Sequence, residues 1–308
     1  MKKTIKYLSI VFFLFINSVN AIENKIILKV NNDIITSLDI LKEINNLKFF
    51  NKKLDQINDE EVFQIALQSI IKYKIKEIEI DRVFNKKKPD NAEYLKVLLE
   101  NEYKKLNFNS LEDFKNELIL KKIDFNDFEK KLKIEMLWNQ IIFTRYSEKV
   151  KINKEELRKQ IENQDPTITS FELSEIVFEI KNINEINKTY ELIKKDINEL
   201  GFENAASKHS LSNTAINGGN LGWISELQIN NEILNNLNSI EKGSITRPIR
   251  MPGSFLILKK NNTKIIQKNF DVEEELKKQI NYQTDLQLNN YSNIYFNKVK
   301  KDMKINAP

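Results

Sequence analysis

The stretch LSNTAINGGNLGW, Leu211–Trp223, places three of the chain's six glycines directly before a tryptophan. All six glycines lie between Gly201 and Gly253. Glycine is favoured where the backbone needs a positive φ angle or approaches another segment closely. The window formed by Gly218, Gly219, Gly222 and Trp223 therefore predicts a loop with a specific backbone. An ordinary glycine-rich turn is the alternative interpretation.

The sequence around this loop predicts a compact α+β domain over residues 167–262. Alternating apolar residues predict strands, and apolar residues at helical spacing predict helices. Gly201 ends one of these helical patterns. The predicted elements are, in order, a strand in FELSEIVFEI (171–180), helices over 186–200 and FENAASKHS (202–210), the glycine loop, a helix in NNEILNNLNSI (230–240), and strands in ITRPI (245–249) and GSFLILKK (253–260).

Residues 22–166 contain no glycine and are predicted to be nearly all helical. A short strand, IILKV (26–30), precedes a helix start at Thr36, where Asp39 completes a capping pair. FNSLEDFKNEL (108–118) and IDFNDFEKKL (123–132) indicate two further helix starts.

Residues 263–308 are predicted to form a helical tail that begins with a capping pair at Asp271 and Glu274. A single amphipathic helix cannot bury its apolar face alone, so this tail should pack on residues 22–166. The fold class predicted is α+β multidomain: a mostly helical N-terminal domain, completed by the C-terminal helix, with one inserted α+β domain.

Residues 1–21 have the features of a secretory signal peptide. Lys2, Lys3 and Lys6 precede the apolar run YLSIVFFLFI, and Val19 and Ala21 are small residues at a cleavage site. Cleavage after Ala21 is expected, and an uncleaved membrane anchor is the alternative. Loss of three lysines from a formal charge of +5 leaves a mature chain close to neutral.

This composition argues against several classes of function. The mature chain has no strongly basic face for nucleic acid and no glycine-rich phosphate loop. It also has no cysteine, which excludes disulfides and thiolate metal sites. A cysteine-free exported chain is compatible with a bacterial periplasm. No metal, no cofactor, no nucleic acid and no stable membrane insertion after signal cleavage are expected.

Several motifs resemble known families. The pattern GGNLGW (218–223), then GSITRPIR (243–250), then GSFLIL (253–258) resembles the parvulin, or PpiC-type, peptidyl-prolyl cis-trans isomerases. Residues 25–40 and 108–142 resemble the helical N-terminal region of SurA chaperones, and residues 295–308 resemble their C-terminal helix. One departure is that SurA-type proteins commonly have two parvulin domains, whereas this chain has room for one.

The resemblance implies an apolar pocket for a proline ring. The matching positions are Leu221 in the glycine loop and Ile229 and Ile233, expected on the next helix. All three residues are apolar, as the pocket requires. Plain core packing is the alternative, because any buried helix face also shows this spacing.

The resemblance also implies a polar catalytic cluster, and here the chain departs from the family. Glu175 and Phe255 stand where parvulins have histidines, and Ser212 stands at the Cys or Asp position. Phenylalanine cannot donate or accept a hydrogen bond as histidine does. The only histidine, His209, matches no catalytic position and is interpreted as a solvated residue at a helix end. Asn220 replaces the usual Asp.

The resulting functional hypothesis is a periplasmic chaperone of SurA type with a catalytically weak or inactive parvulin-like domain. Its expected partners are unfolded outer-membrane proteins or other non-native polypeptides, together with the barrel-assembly machinery. An active peptidyl-prolyl isomerase is the alternative, and a membrane-tethered foldase is a third hypothesis if the signal is retained. Candidate aromatic linings of a client cleft, for which core packing is the alternative, are Phe49, Phe50, Phe108, Phe114, Phe125 and Phe128.

Overall fold

The computed structural model describes residues 24–307 apart from 86, 88, 90, 164–166, 181 and 268–270. The proposed signal peptide lies outside the described residues. The first part of the chain forms six helices within the residues described: α1 (Ser37–Phe50), α2 (Asp59–Phe84), α3 (Ala92–Lys105), α4 (Leu111–Leu120), α5 (Phe125–Tyr146) and α6 (Lys154–Glu162).

The helix starts predicted in this part are confirmed. Thr36 and Asp39 form a reciprocal capping box at the start of α1. Ser110 accepts a hydrogen bond from the N–H of Asp113 at the start of α4, and Asp124 caps α5 in the same way through Asn126. Each cap satisfies a backbone donor that has no partner within the helix.

A three-stranded sheet joins the two ends of the described chain. Strand β1 (Ile26–Val30) pairs with β2 (Asp33–Thr36) on one side. On its other side it pairs with β7 (Ile305–Asn306). The sequence predicts β1 alone, because β2 directly follows the turn and β7 has only two residues, too few for a recognisable alternation.

The middle of the chain forms a four-stranded antiparallel sheet in the order β4-β3-β6-β5. Its elements are β3 (Thr167–Phe178), α7 (Ile186–Leu200), α8 (Phe202–His209), β4 (Asn220–Ser225), α9 (Asn231–Asn238), β5 (Ile249–Met251) and β6 (Ser254–Gln267). We refer to residues 167–267 as the four-stranded unit and to residues 24–163 with 271–307 as the helical part.

Two strand predictions for this unit are wrong in extent. The segment predicted as a strand over 245–249 has only an isolated bridge at Ile245, and β5 begins at Ile249. Pro248 lacks an N–H, which explains the interruption between Ile245 and Ile249. The second half of the glycine loop forms strand β4, where the sequence predicts no strand. Gly222 breaks the apolar alternation that would have indicated a strand in 220–225.

The four-stranded sheet buries both of its faces. Phe171, Leu173 and Val177 of β3 pack with Ile233 and Leu237 of α9 on one face. Ile176 and Phe178 of the same strand pack with Ile193 of α7 and Phe202 of α8 on the other face. This follows from strand geometry, since successive side chains point to opposite faces.

The C-terminal helix, α10 (Val272–Lys301), packs within the core of the helical part. Tyr295 and Phe296 are buried against Trp138 of α5, with ring centroids 5.5 and 6.1 Å away. The indole Nε1 of Trp138 donates to Ser292 Oγ at 2.8 Å. The helix begins at the predicted cap, because the Asp271 side chain accepts hydrogen bonds from the N–H groups of Glu273 and Glu274. Residues 263–267, which the prediction assigns to the tail, belong instead to β6, which pairs with β3 as far as Gln267.

The candidate aromatic linings of a client cleft belong to a separate core cluster. Phe114 is fully buried, with 0% of its surface exposed, and Phe49 and Phe128 are also buried. The other three phenylalanines are partly buried and pack against the same cluster. These residues therefore stabilise the packing of α1, α4 and α5 instead of lining an open cleft.

Among the described helices, none combines the length and apolarity needed to cross a membrane.

Candidate functional site

The glycine loop has the backbone that its composition predicts. Gly218, Gly219 and Gly222 have φ angles of 66°, 77° and 71°. Gly219 also makes a close approach, because a Cβ atom there would lie 2.2 Å from the carbonyl oxygen of Glu175. The N–H of Glu175 donates to the Gly219 carbonyl at 2.8 Å. The loop is thus fixed directly to strand β3 at Glu175.

Asn220 holds the turn that follows. Its Oδ1 accepts a hydrogen bond from the N–H of Gly222 at 2.8 Å. An aspartate would accept the same bond, so the substitution noted in the sequence preserves the local geometry.

Two of the three positions implied by the resemblance lie together. The hydroxyl of Ser212 donates to Glu175 Oε1 at 2.6 Å, and the hydroxyl of Thr214 reaches the same oxygen at 2.9 Å. Burial raises the pKa of the Glu175 carboxyl above its usual value, while the two hydroxyl groups oppose that rise. Thr214 also belongs to this cluster, although no motif in the sequence identifies it.

Phe255 is not part of that cluster. In the β3–β6 ladder Glu175 lies opposite Leu258, whereas Phe255 lies opposite Phe178. Residues three apart on a strand point to opposite faces. Phe255 accordingly packs with Phe178 on the face covered by α7 and α8, at a ring separation of 5.8 Å. The three positions implied by the resemblance therefore do not form a single cluster in this structure.

The helical part adds two residues that no local sequence signal identifies. Lys72 Nζ of α2 donates to the carbonyl oxygens of Leu211 at 2.5 Å and Ser212 at 3.2 Å. Burial, with a smaller contribution from the charge of Lys76, lowers the pKa of Lys72 to about 7. Tyr282 of α10 lies near Glu175, and burial together with that carboxylate raises its pKa to about 12.

The apolar positions of the expected pocket share one cluster with the core. Ile233 on α9 has only 7% of its surface exposed, while Leu221 and Ile229 are partly exposed and pack against the same cluster. Ile229 lies before α9, at the end of a 3-10 turn, and not on the helix as expected. We call Leu221, Ile229 and Ile233 the apolar wall; only the first two have surface that a ligand could contact.

His209 is not solvated as the sequence interpretation suggested. Its side chain is only 17% exposed, and Nε2 lies 2.5 Å from Asp196 Oδ2. Burial lowers the pKa of His209 despite this carboxylate. The residue therefore ties α8 to α7, and it lies beside Lys208, which reaches across to Glu61 of α2.

A crevice of about 560 Å³ lies between the four-stranded unit and helices α1, α2, α5 and α10. We call it the interdomain crevice. Its lining includes both charged and apolar side chains, among them Leu47, Lys72, Tyr73, Lys131, Glu135, Ile216 and Phe296. Within the described residues no group of three or more His, Asp or Glu side chains is placed to hold a metal ion.

Comparison with known proteins confirms the resemblance to parvulin-type and SurA-type proteins. Residues 171–262 match the family described as Rotamase, PPIC-type PPIASE domain. The chain is 26% identical to the chaperone SurA of Pseudomonas putida over 160 residues, which are 49% of this chain and 38% of that protein. It is also 26% identical to SurA of Escherichia coli O157:H7 over 180 residues, 55% of this chain and 42% of the relative. The chain therefore matches less than half the length of these relatives.

Solved structures give similarities at lower identity. A structure described among two SurA-like chaperones of Campylobacter jejuni is 16% identical and has a TM-score of 0.38, covering 92% of this chain and 99% of that one. PrsA, a peptidylprolyl isomerase of Bacillus anthracis, is 18% identical with a TM-score of 0.31, covering 75% and 98%.

Proposed function

We propose that this protein is a periplasmic chaperone of SurA type that binds non-native polypeptides. Its clients would include unfolded outer-membrane proteins on their way to the barrel-assembly machinery. The similarity to SurA chaperones supports the class of function. We further propose that the parvulin-like domain is a weak catalyst or inactive. The observation that supports this is the geometry of the site, where the Ser212 hydroxyl donates a hydrogen bond to Glu175 and Phe255 points to the opposite face of the sheet.

Catalysis of prolyl rotation requires contacts that form preferentially with the twisted amide. The barrier to be lowered is about 18–20 kcal/mol. In this site the Ser212 and Thr214 hydroxyls already donate to Glu175, so neither is free to donate to a substrate carbonyl. The apolar surfaces of Leu221 and Ile229 remain available to hold a proline-containing segment. Binding without turnover follows from this combination.

An active peptidyl-prolyl isomerase is the second candidate. The match of residues 171–262 to the PPIC-type domain favours it. Within the site, the position of Ser212 in the glycine loop, 2.6 Å from Glu175, would allow a rearranged pair of polar groups to contact a substrate.

The two functions predict different results in paired assays. The wild-type protein should suppress aggregation of an unfolded outer-membrane protein. Its acceleration of prolyl isomerisation in a proline-containing peptide should stay near the uncatalysed background, because the site lacks free donors. Robust isomerase activity that disappears in Glu175→Ala would make the protein an enzyme with a substituted site.

A matched pair of variants separates peptide binding from general stability. Ile229→Asp places a charge on the apolar wall and should weaken binding of the proline peptide about tenfold, equivalent to ~1.4 kcal/mol. Ile265→Asp adds the same charge at a strongly exposed position and should leave binding unchanged. Ile233→Asp is unsuitable, because that residue is buried and the charge would act on folding.

The domain organisation and the export of the chain are part of the same proposal. We take residues 24–163 and 271–307 as one folding unit and residues 167–267 as an inserted parvulin-like domain. The apolar run within residues 1–21 supports export with cleavage after Ala21.

Mass spectrometry of the exported protein is expected to find Ile22 as its first residue. A chain that keeps Met1 and fractionates with membranes would contradict this localisation and favour the tethered foldase.

A further inference from the structure

A second large groove, of about 580 Å³, lies on the helical part between α3, α5 and α10. The described residues that line it all belong to the helical part, and none of them lines the interdomain crevice. Helix α10 contributes residues that share one face, such as Asp285, Leu288 and Ser292. The volume falls within the range of about 300–1,000 Å³ that is typical of ligand pockets. This groove is therefore a candidate binding site separate from the parvulin-like domain.

Two aromatic side chains at this groove are exposed to solvent. Tyr94 of α3 has 57% of its surface exposed, and Phe143 of α5 has 58%. Met136 and Ile142, which also line the groove, are buried and supply an apolar floor. The face of an aromatic ring carries a negative potential that attracts ammonium and guanidinium groups. The rings thus offer surface to a ligand that is both apolar and cationic.

The charge of the groove comes from one carboxylate. Asp285 lines the groove and makes neither an ion pair nor a hydrogen bond with another described residue. Partial burial alone raises the pKa of this carboxyl above its usual value. None of the described lining residues is a lysine, an arginine or a histidine. By contrast, Asp127 of the helical part pairs with Lys42 at 2.7 Å. A cation that enters the groove would therefore meet an uncompensated negative charge.

Side-chain amides along the groove match the hydrogen-bonding groups of a polypeptide backbone. Asn139 of α5 and Asn289 of α10 line the groove and make no hydrogen bond to another described residue. Each amide offers both donors and an acceptor, and a backbone offers the complementary C=O and N–H groups. A free alkylammonium ion has donors only and would leave the amide donors unused. The groove therefore fits a cation carried on a polypeptide better than a free cation.

We infer that this groove binds an extended segment of a non-native polypeptide at a lysine or arginine side chain. The cationic group pairs with Asp285 and lies against the rings of Tyr94 and Phe143. The amides of Asn139 and Asn289 bond to the backbone on either side of it. This inference rests on the proposed binding of non-native polypeptides, and it adds a contact that selects basic residues.

A fluorophore placed at the groove tests this selection. Because the chain has no cysteine, Val97→Cys on α3, at a position that is 51% exposed, can be labelled without competing thiols. The probes are two short proline-free peptides that carry either one central lysine or norleucine and no other charge. The lysine peptide is expected to bind about fivefold more tightly, since an exposed ion pair and a cation–π contact are each weak.

Asp285→Asn keeps the shape of the side chain and removes its charge, so it should abolish the preference for lysine. Asp302→Asn is the matched control, because it removes the same charge at the end of the same helix, outside the groove. Phe143→Leu replaces the exposed ring by an aliphatic side chain and should reduce the preference about twofold. It provides a second readout if Asp285→Asn folds poorly.

Equal affinities for the two peptides in the wild-type protein would overturn the inference, as would a preference that persists in Asp285→Asn or no response of the label. Acetyl-lysine amide that binds as tightly as the lysine peptide would also overturn it, because the groove would then take a free cation. Lysine selection in a protein that fails to suppress aggregation would support the groove as a peptide site and contradict the proposed chaperone function.

Discussion

A chain that ends at Gln267 should lose the fold of its helical part while the four-stranded unit remains folded. The truncation removes Tyr295, Phe296 and Val299 from the core and exposes Trp138, which is fully buried in the complete chain. Burial of each large apolar side chain contributes about 1.5–3 kcal/mol. The combined loss is comparable with the total stability of a typical domain, about 5–15 kcal/mol.

Hydrogen exchange measures this effect segment by segment. Amides of helix α5 should lose most of their protection, whereas amides of β3 and β6 should keep theirs, because the truncated chain retains both strands. A chain ending at Asp302 is the control, since it loses β7 and keeps α10, and it should lose protection mainly in β1. Undiminished protection of α5 in the shorter chain would mean that α10 does not complete the helical core.

Gly219→Ala should produce the largest loss of stability among substitutions in the glycine loop. Gly219 has a φ of 77°, and its new Cβ would lie 2.2 Å from the Glu175 carbonyl oxygen. The positive φ costs about 1–2 kcal/mol for a residue with a side chain. The clash adds to this cost because the neighbour is backbone, which must move with strand β3. We expect a total loss of roughly 3 kcal/mol or more in the free energy of unfolding.

Gly222→Ala provides the control for the clash. Gly222 has a similar φ of 71°, but a Cβ there would meet no atom within 4 Å. Urea unfolding should therefore show a loss of only about 1–2 kcal/mol for this variant. Equal losses at the two positions would indicate that the φ angle alone limits the loop, and that its attachment to Glu175 contributes little.

The elements that the sequence predicts well are those specified by neighbouring residues. Thr36 with Asp39, and Ser110 with Asp113, are caps within a single turn, so the pattern alone identifies them. Strand β7 is different because its only partner is β1, near the other end of the described chain. A strand of two residues has no periodicity, and long-range pairing supplies all of its stabilisation.

The residues of the candidate site also differ in whether the sequence alone could identify them. Glu175 and Ser212 are found through the resemblance, and the structure places them in contact. The resemblance does not reveal that Phe255 faces away, because that depends on the register of β3 against β6. Lys72 and Tyr282 reach the site from distant helices, and nothing in their own neighbourhoods distinguishes them from ordinary helix residues.

The four-stranded unit begins and ends at one residue pair of the β3–β6 ladder, Thr167 opposite Gln267. Paired residues in antiparallel strands lie about 4.5–5.5 Å apart. The first and last residues of the four-stranded unit are therefore adjacent, and a short linker could bridge them. A unit whose two ends are adjacent can be deleted, duplicated or replaced in one evolutionary step, because the path of the rest of the chain does not have to change.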